Sequence, residues 1–173
     1  MEPGDVMLVL RAQQGDREAL NTLLERVQER LFRYIARLLN DTAAAEDVLQ
    51  ETLLRIARKI QWLSEPAFFE TWAYRIASRE VFRMAKRSGA TAATEQLDSE
   101  LAAPESEPPR MTWDELDRLT RELSPQCRSV MALHYGEDRP LKEVAMILEV
   151  PLGTVKSRLG YGLSRLREML SKP

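Results

Sequence analysis

One run near the end of the chain, PLKEVAMILEVPLGTVKSRL at 140–159, constrains the fold more than any other. It reads as two helices joined by a tight turn. Leu141, Val144, Ala145 and Leu148 recur at the i, i+3, i+4, i+7 spacing of one buried helix face. Val150 and Pro151 end that helix, because proline disfavours the helical conformation in the residue before it. Gly153 or Thr154 is then expected to cap a second helix. Its inner face is Val155, Leu159, Leu163, Leu166 and Leu170, and Thr154, Lys156, Ser157, Arg158 and Tyr161 are left for the outer face. A helix pair of this kind presents its second member to a DNA major groove. From residue 151 onward Lys156, Arg158, Arg165, Arg167 and Lys172 face a single acid, Glu168, in a chain whose net charge is -2. That local excess favours DNA binding over a merely solvated basic face.

The rest of the composition bounds the fold. Glycine is scarce and Ala, Leu, Glu and Arg dominate, a balance that favours an all-α protein. With one cysteine (Cys127) and one histidine (His134), no multi-ligand Cys/His zinc site and no internal disulfide is expected. The single thiol suits a reducing cytoplasm. The first residues include Glu2 and Asp5 and no long apolar run, so neither a signal peptide nor a membrane span is expected. Between 88 and 112 helical periodicity lapses. Pro104, Pro108 and Pro109 gather there, and Glu95, Asp98, Glu100, Glu105 and Glu107 oppose Arg110 alone. This is the composition of a flexible acidic linker. The chain is therefore expected to hold two small helical domains, 1–87 and 113–173, joined by residues 88–112.

In the first domain, a helix over 5–14 breaks at Gly15-Asp16, and Asp16 is placed to cap the next. A third helix over 43–60 carries Asp47, Gln50, Glu51, Leu54 and Arg58 on one polar face, which is either solvated surface or a docking face. The fourth segment, 65–87, interleaves Phe68, Phe69, Trp72, Tyr74 and Phe82 with Arg75, Arg79, Arg83, Lys86 and Arg87. Aromatic rings that stack on unpaired bases, beside cations that neutralise phosphates, are the ingredients of single-strand binding. Phe69, Trp72, Ala73 and Ile76 read as a core stripe, whereas Tyr74 and the arginines are expected to point elsewhere.

Five stretches in order carry a resemblance: GDREAL at 15–20, AEDVLQETL at 45–53, FETWAYRIA at 69–77, LSP at 123–125 and VPLGTVKSRL at 150–159. The chain resembles a bacterial sigma factor of the extracytoplasmic-function (ECF) type, in the sigma-70 family. The resemblance implies a transcription initiation factor without catalytic chemistry or cofactor. Its first domain, similar to sigma region 2, would bind the clamp helices of the largest subunit of core RNA polymerase and the minus-ten promoter element. Its second, similar to region 4, would bind the flap of the other large subunit and the minus-thirty-five element. The docking face would be Asp47, Gln50, Glu51, Leu54 and Arg58. Trp72, Tyr74, Arg75, Arg79, Arg83 and Lys86 would act in melting and strand capture. Thr154, Lys156, Ser157, Arg158, Tyr161 and Arg165 would form the recognition helix, and an anti-sigma factor would be a partner.

The chain departs from the family pattern at Arg79 (usually Asn), Glu80 (usually apolar) and Pro140 (usually a Ser or Thr cap). Gly160 and Gly162 also stand inside the recognition helix, each costing about 1 kcal/mol relative to alanine, so that helix is expected to fray past Leu159. Two other readings fit part of the pattern. One is a dimeric helix-turn-helix regulator that needs no polymerase. The other is a sigma-like decoy that only sequesters an anti-sigma factor.

Overall fold

The computed structural model describes residues 3–87 and 120–171. Every regular element among them is helical, and none is a strand. The chain divides into two compact units, Met1–Met84 and Ala85–Pro173. The expected linker, 88–112, lies outside the described residues, as do residues 113–119 of the expected second domain.

The first unit is built from α1 (Pro3–Gln13), α2 (Arg17–Leu39), α3 (Thr42–Lys59) and α4 (Phe69–Arg87). Two 3-10 turns, Ile60–Trp62 and Pro66–Phe68, connect α3 to α4. Gly15 makes the turn into α2 at φ +92°, where an L side chain would be strained. Asp16 then caps α2 by accepting from the Ala19 N–H at 3.1 Å. Asp41 does the same for α3 through Ala44, also at 3.1 Å. Leu23, Val27, Leu31, Ile35 and Leu38 of α2 meet Val48 and Ile56 of α3 and Phe69, Ala73 and Ile76 of α4 in one core. Polar fasteners run through it. The Ser78 hydroxyl donates to the Tyr74 carbonyl at 2.8 Å. Its one proton is thereby used, so the buried Tyr34 hydroxyl, 2.8 Å away, is the donor to Ser78 Oγ. Gln13 ties α1 to the first 3-10 turn by donating to the carbonyls of Ile60 at 3.0 Å and Leu63 at 2.7 Å.

The second unit holds α5 (Pro125–Met131), which runs into a π turn (Ala132–Gly136), then α6 (Leu141–Leu148) and α7 (Leu152–Leu170). Ser124 caps α5 and proline occupies its first helical position, where no amide proton is missed. The buried Arg128 donates from Nε to the Thr120 carbonyl at 2.8 Å and from Nη2 to the Arg121 carbonyl, fastening the segment that enters the unit. The π turn closes through the Arg139 N–H on the Leu133 carbonyl at 3.0 Å. His134 donates from Nδ1 to the Arg139 carbonyl at 2.8 Å, because a carbonyl can only accept.

Several sequence expectations change here. The helix-turn-helix forms, but neither Gly153 nor Thr154 caps its second helix. α7 starts at Leu152 behind Pro151, which gives no side-chain cap. The turn before it is made by Glu149 in the left-handed region at φ 56°, with the Glu149 and Val150 N–H groups both on the Ala145 carbonyl. On α6 the buried pair is Val144 and Ile147, while Leu141, Ala145 and Leu148 are half-buried. Leu170, expected inside, is half exposed.

The expected fraying past Leu159 does not occur: α7 is continuous through Gly160 and Gly162 to Leu170, and both glycines are buried. The reason is tertiary. A Cβ on Gly162 would lie 2.7 Å from Met131 Sδ and 3.5 Å from Leu123 Cδ1. The bare backbone lets α5 seat against α7, and that packing offsets the poor helix propensity of the two glycines.

Candidate polymerase and nucleic-acid interfaces

Three helix faces carry the candidate residues. On α3, the 3.6-residue period brings Asp47, Gln50, Glu51, Leu54 and Arg58 onto one side, opposite the buried Ala45, Val48, Thr52 and Ile56. Asp47, Gln50, Leu54 and Arg58 are exposed. Glu51 is half-buried and accepts from Arg55 Nε at 2.7 Å. The stripe is thus polar surface with one exposed leucine in it.

On α4 the aromatics depart from their expected orientations at two positions. Tyr74 is only 2% exposed. Its ring meets Tyr34 edge-on at 5.5 Å, so it belongs to the core and cannot stack on a base from this position. Trp72, read as core, is half-buried against Phe69 at 6.3 Å between ring centroids. The interleaved pattern of the segment could not separate these two rings, because a helix 100° per residue places both near the edge of the apolar stripe. Arg75 is half-buried, and Arg79 and Lys86 are exposed. Arg83 is partly covered and donates from Nη1 to both carboxylate oxygens of Glu80, at 2.8 and 2.7 Å. Glu80 itself, at the usually apolar position, is 6% exposed.

The 3-10 turns that lead into α4 supply what the periodicity missed. Trp62 is 69% exposed and Phe68 49% exposed. Two large aromatic surfaces open to solvent beside an arginine-bearing helix suit base stacking better than Tyr74 does. Phe68 was visible in the aromatic run. Trp62 lies outside it, and its only sequence signal is an indole just past the end of an amphipathic helix.

On α7, Thr154, Lys156, Ser157 and Arg158 occupy the first two turns, where a groove-docked helix reaches base edges. Lys156 is exposed, and neither it nor Arg158 has an ion-pair partner among the described residues. Ser157 donates its hydroxyl to the Gly153 carbonyl at 3.0 Å, leaving its lone pairs outward. Tyr161 is half-buried. Arg165 pairs with Glu168 at 2.7 Å and stands seven residues beyond Arg158, about 10 Å further along the axis. Behind the helix, burial pushes the Tyr135 hydroxyl above its usual range against the opposing pull of Arg167. Among the described residues no group of three His, Cys, Asp or Glu side chains is placed to hold a metal ion. No helix among them is long and apolar enough to cross a membrane.

The fold and faces define a sigma-type architecture, one helical bundle and one helix-turn-helix. Family comparison agrees: the Sigma-70 region 2 model matches residues 23–91, and the Sigma-70 region 4 model matches residues 121–168. The ECF RNA polymerase sigma-E factor of Haemophilus influenzae is 31% identical, covering 96% of this chain and 93% of that protein. The RNA polymerase sigma-H factor of Pseudomonas aeruginosa is 28% identical over 97% of this chain and 92% of its own length. Among solved structures, CnrH in complex with the cytosolic domain of CnrY superposes with a TM-score of 0.72 at 17% identity, over 96% of each chain. The sigma factor RpoE of Bartonella quintana, in complex with the anti-sigma factor NepR, gives 0.68 at 22% identity over 88% of this chain and 96% of that one. At such identities these structures speak to fold alone. The chain belongs to the ECF RNA polymerase sigma factors.

Proposed function

We propose that this sigma factor divides its work among the three faces. The stripe on α3 (Asp47, Gln50, Glu51, Leu54, Arg58) docks core RNA polymerase at the clamp helices. The face of α4 that bears Trp72, Arg75, Arg79, Arg83 and Lys86 holds the melted minus-ten strand, with Trp62 and Phe68 of the preceding turns as its stacking surfaces. The first turns of α7 read the minus-thirty-five element through Thr154, Lys156, Ser157, Arg158 and Tyr161, and Arg165 acts as a backbone contact. Tyr74 drops out of the contacting set.

The observation that carries this reading is the exposed stripe on α3. It contributes nothing to the core, and a helix-turn-helix regulator acting without polymerase has no use for it. The exposed cations on α4 and α7 argue in the same way against a decoy that never reaches DNA. The chain acts by positioning rather than by its own chemistry, since among the described residues its carboxylates and single histidine form no nucleophile, base and orienter set. Its place of action is then the cytoplasm, where polymerase is. An anti-sigma partner, as RpoE has in its complex with NepR, would cover the exposed apolar and basic surfaces until a signal releases them.

The test is transcription in vitro from a genomic promoter library with core polymerase. The expected result is a discrete promoter set that depends on added chain. Polymerase-independent, sequence-specific DNA binding with no transcription would favour the regulator instead.

A further inference from the structure

Resting on that division of faces, a set of four side chains joins the docking face to the strand-holding face. Glu80 of α4 is buried, and both of its oxygens are engaged by Arg83 Nη1, at 2.8 and 2.7 Å. Glu80 Oε1 also lies 2.9 Å from Nε of Arg55 on α3. That same Nε donates to Glu51 Oε1 at 2.7 Å. Glu51 and Arg83 reach the surface at the two ends of the set, one in the docking stripe and one on the DNA face, while Glu80 is buried between them.

The arithmetic of this cluster is its chemistry. Two arginines and two glutamates sum to zero, so the arginine at its DNA end is neutralised internally. Arg55 Nε carries one hydrogen and has two carboxylates within reach, so its attention is divided. Take Glu51 away, by engaging it with donors on polymerase, and Arg55 turns wholly onto Glu80. Glu80 then holds Arg83 less tightly, and the cluster carries one more positive charge toward the strand. We infer that Glu80 is a positioning residue that couples polymerase docking at Glu51 to the readiness of Arg83 for DNA phosphate. Because the coupling is a binding free energy it runs both ways, so strand capture by Arg83 would favour docking at Glu51.

The test uses the full chain without polymerase, titrated onto a labelled oligodeoxythymidine strand between about 50 and 200 mM salt. Glu51→Gln mimics the docked state by discharging Glu51. It should tighten binding and steepen the slope of log K against log salt by about 0.7, the signature of one further phosphate contact on a single strand. Glu46→Gln, the same charge change at an exposed α3 position outside the cluster, should leave the slope where it is. Adding Arg83→Gln to Glu51→Gln should return the slope to that of Arg83→Gln alone. In Glu80→Gln, checked for a native circular dichroism spectrum, Glu51→Gln should add nothing further. An unchanged slope in Glu51→Gln overturns the coupling, and so does a gain that survives loss of Arg83. A parent chain that supports no transcription with core polymerase fails the functional reading itself, a result on which these polymerase-free slopes do not depend.

Discussion

The two units bury their helices by different means. In the first, α4 adds polar fasteners to its apolar stripe: the Tyr34–Ser78 hydrogen bond, the Arg30–Glu70 ion pair and the buried Glu80 held by Arg55 and Arg83. In the second, α7 meets α5 through bare backbone at Gly162, beside Met131, and its inner face is the buried Val155, Leu159, Leu163 and Leu166. Their outward cations differ in parallel. Arg83 is tied into the charge cluster, whereas Lys156 and Arg158 on α7 have no ion-pair partner among the described residues. The first unit shares charges between α3 and α4, across the two faces proposed to work. The second unit seats α7 by close packing and keeps only Lys156 and Arg158, in its first two turns, clear of counter-charges, while Arg165 further along is paired with Glu168.

The sharpest break of this contrast is Glu80→Ala. It removes the buried carboxylate shared by the partly exposed Arg55 and Arg83 and should cost about 2–3 kcal/mol, the scale for losing hydrogen bonds to a charged group. Hydrogen exchange should show lost protection in α3 and α4 with α5–α7 unaffected. Uniform loss across both units would contradict separate fastening. Next is Gly162→Val, which drives a branched side chain into Met131 Sδ and should cost about 2 kcal/mol through overpacking. Here protection should fall in α5 and α7 alone. If the variant were as stable as the parent, the close-packing account of the continuous helix would be wrong.

A smaller effect is expected at the reading helix. Arg158→Ala should weaken discrimination for the upstream promoter element by about 1–2 kcal/mol, roughly tenfold in relative promoter occupancy, with strand opening spared. Permanganate footprinting separates the two steps, and a variant that bound the element normally but opened it slowly would move Arg158 to another role. The smallest effect is electrostatic and local. The Ala19 N–H and then the Arg11 guanidinium hold the Asp16 carboxyl below its ordinary value of 3.8. A carboxyl depressed in the folded state adds stability above its unfolded pKa and loses it as pH falls through the folded one. Acid unfolding of the parent should therefore show a small stability loss beginning just below pH 3.8 that Asp16→Asn lacks, read from paired denaturant titrations. Identical pH profiles for the two would remove the cap from the account of α2.

Local sequence was enough for the helices of the first unit and for the helix-turn-helix, though not for α5 and the π turn that follows it. The caps at Asp16 and Asp41, the i, i+3, i+4 stripes of α2, α3 and α7 and the turn after Leu148 are all set within a few residues of where they act. The stripe on α3 is equally local, since helical spacing alone brings Asp47 through Arg58 to one side. What local spacing could not decide is anything that depends on a second helix. Tyr74 and Trp72 lie at the two edges of one apolar stripe, and only the presence of Tyr34 across the bundle assigns Tyr74 to the core. Glu80 reads as a misplaced surface acid until Arg55, twenty-five residues earlier, is found 2.9 Å away. Gly160 and Gly162 weaken an isolated helix, as propensity says they must. In the folded unit both are buried and Gly162 admits Met131 of α5, which keeps α7 whole, because helix propensity is a property of one segment and packing a property of two.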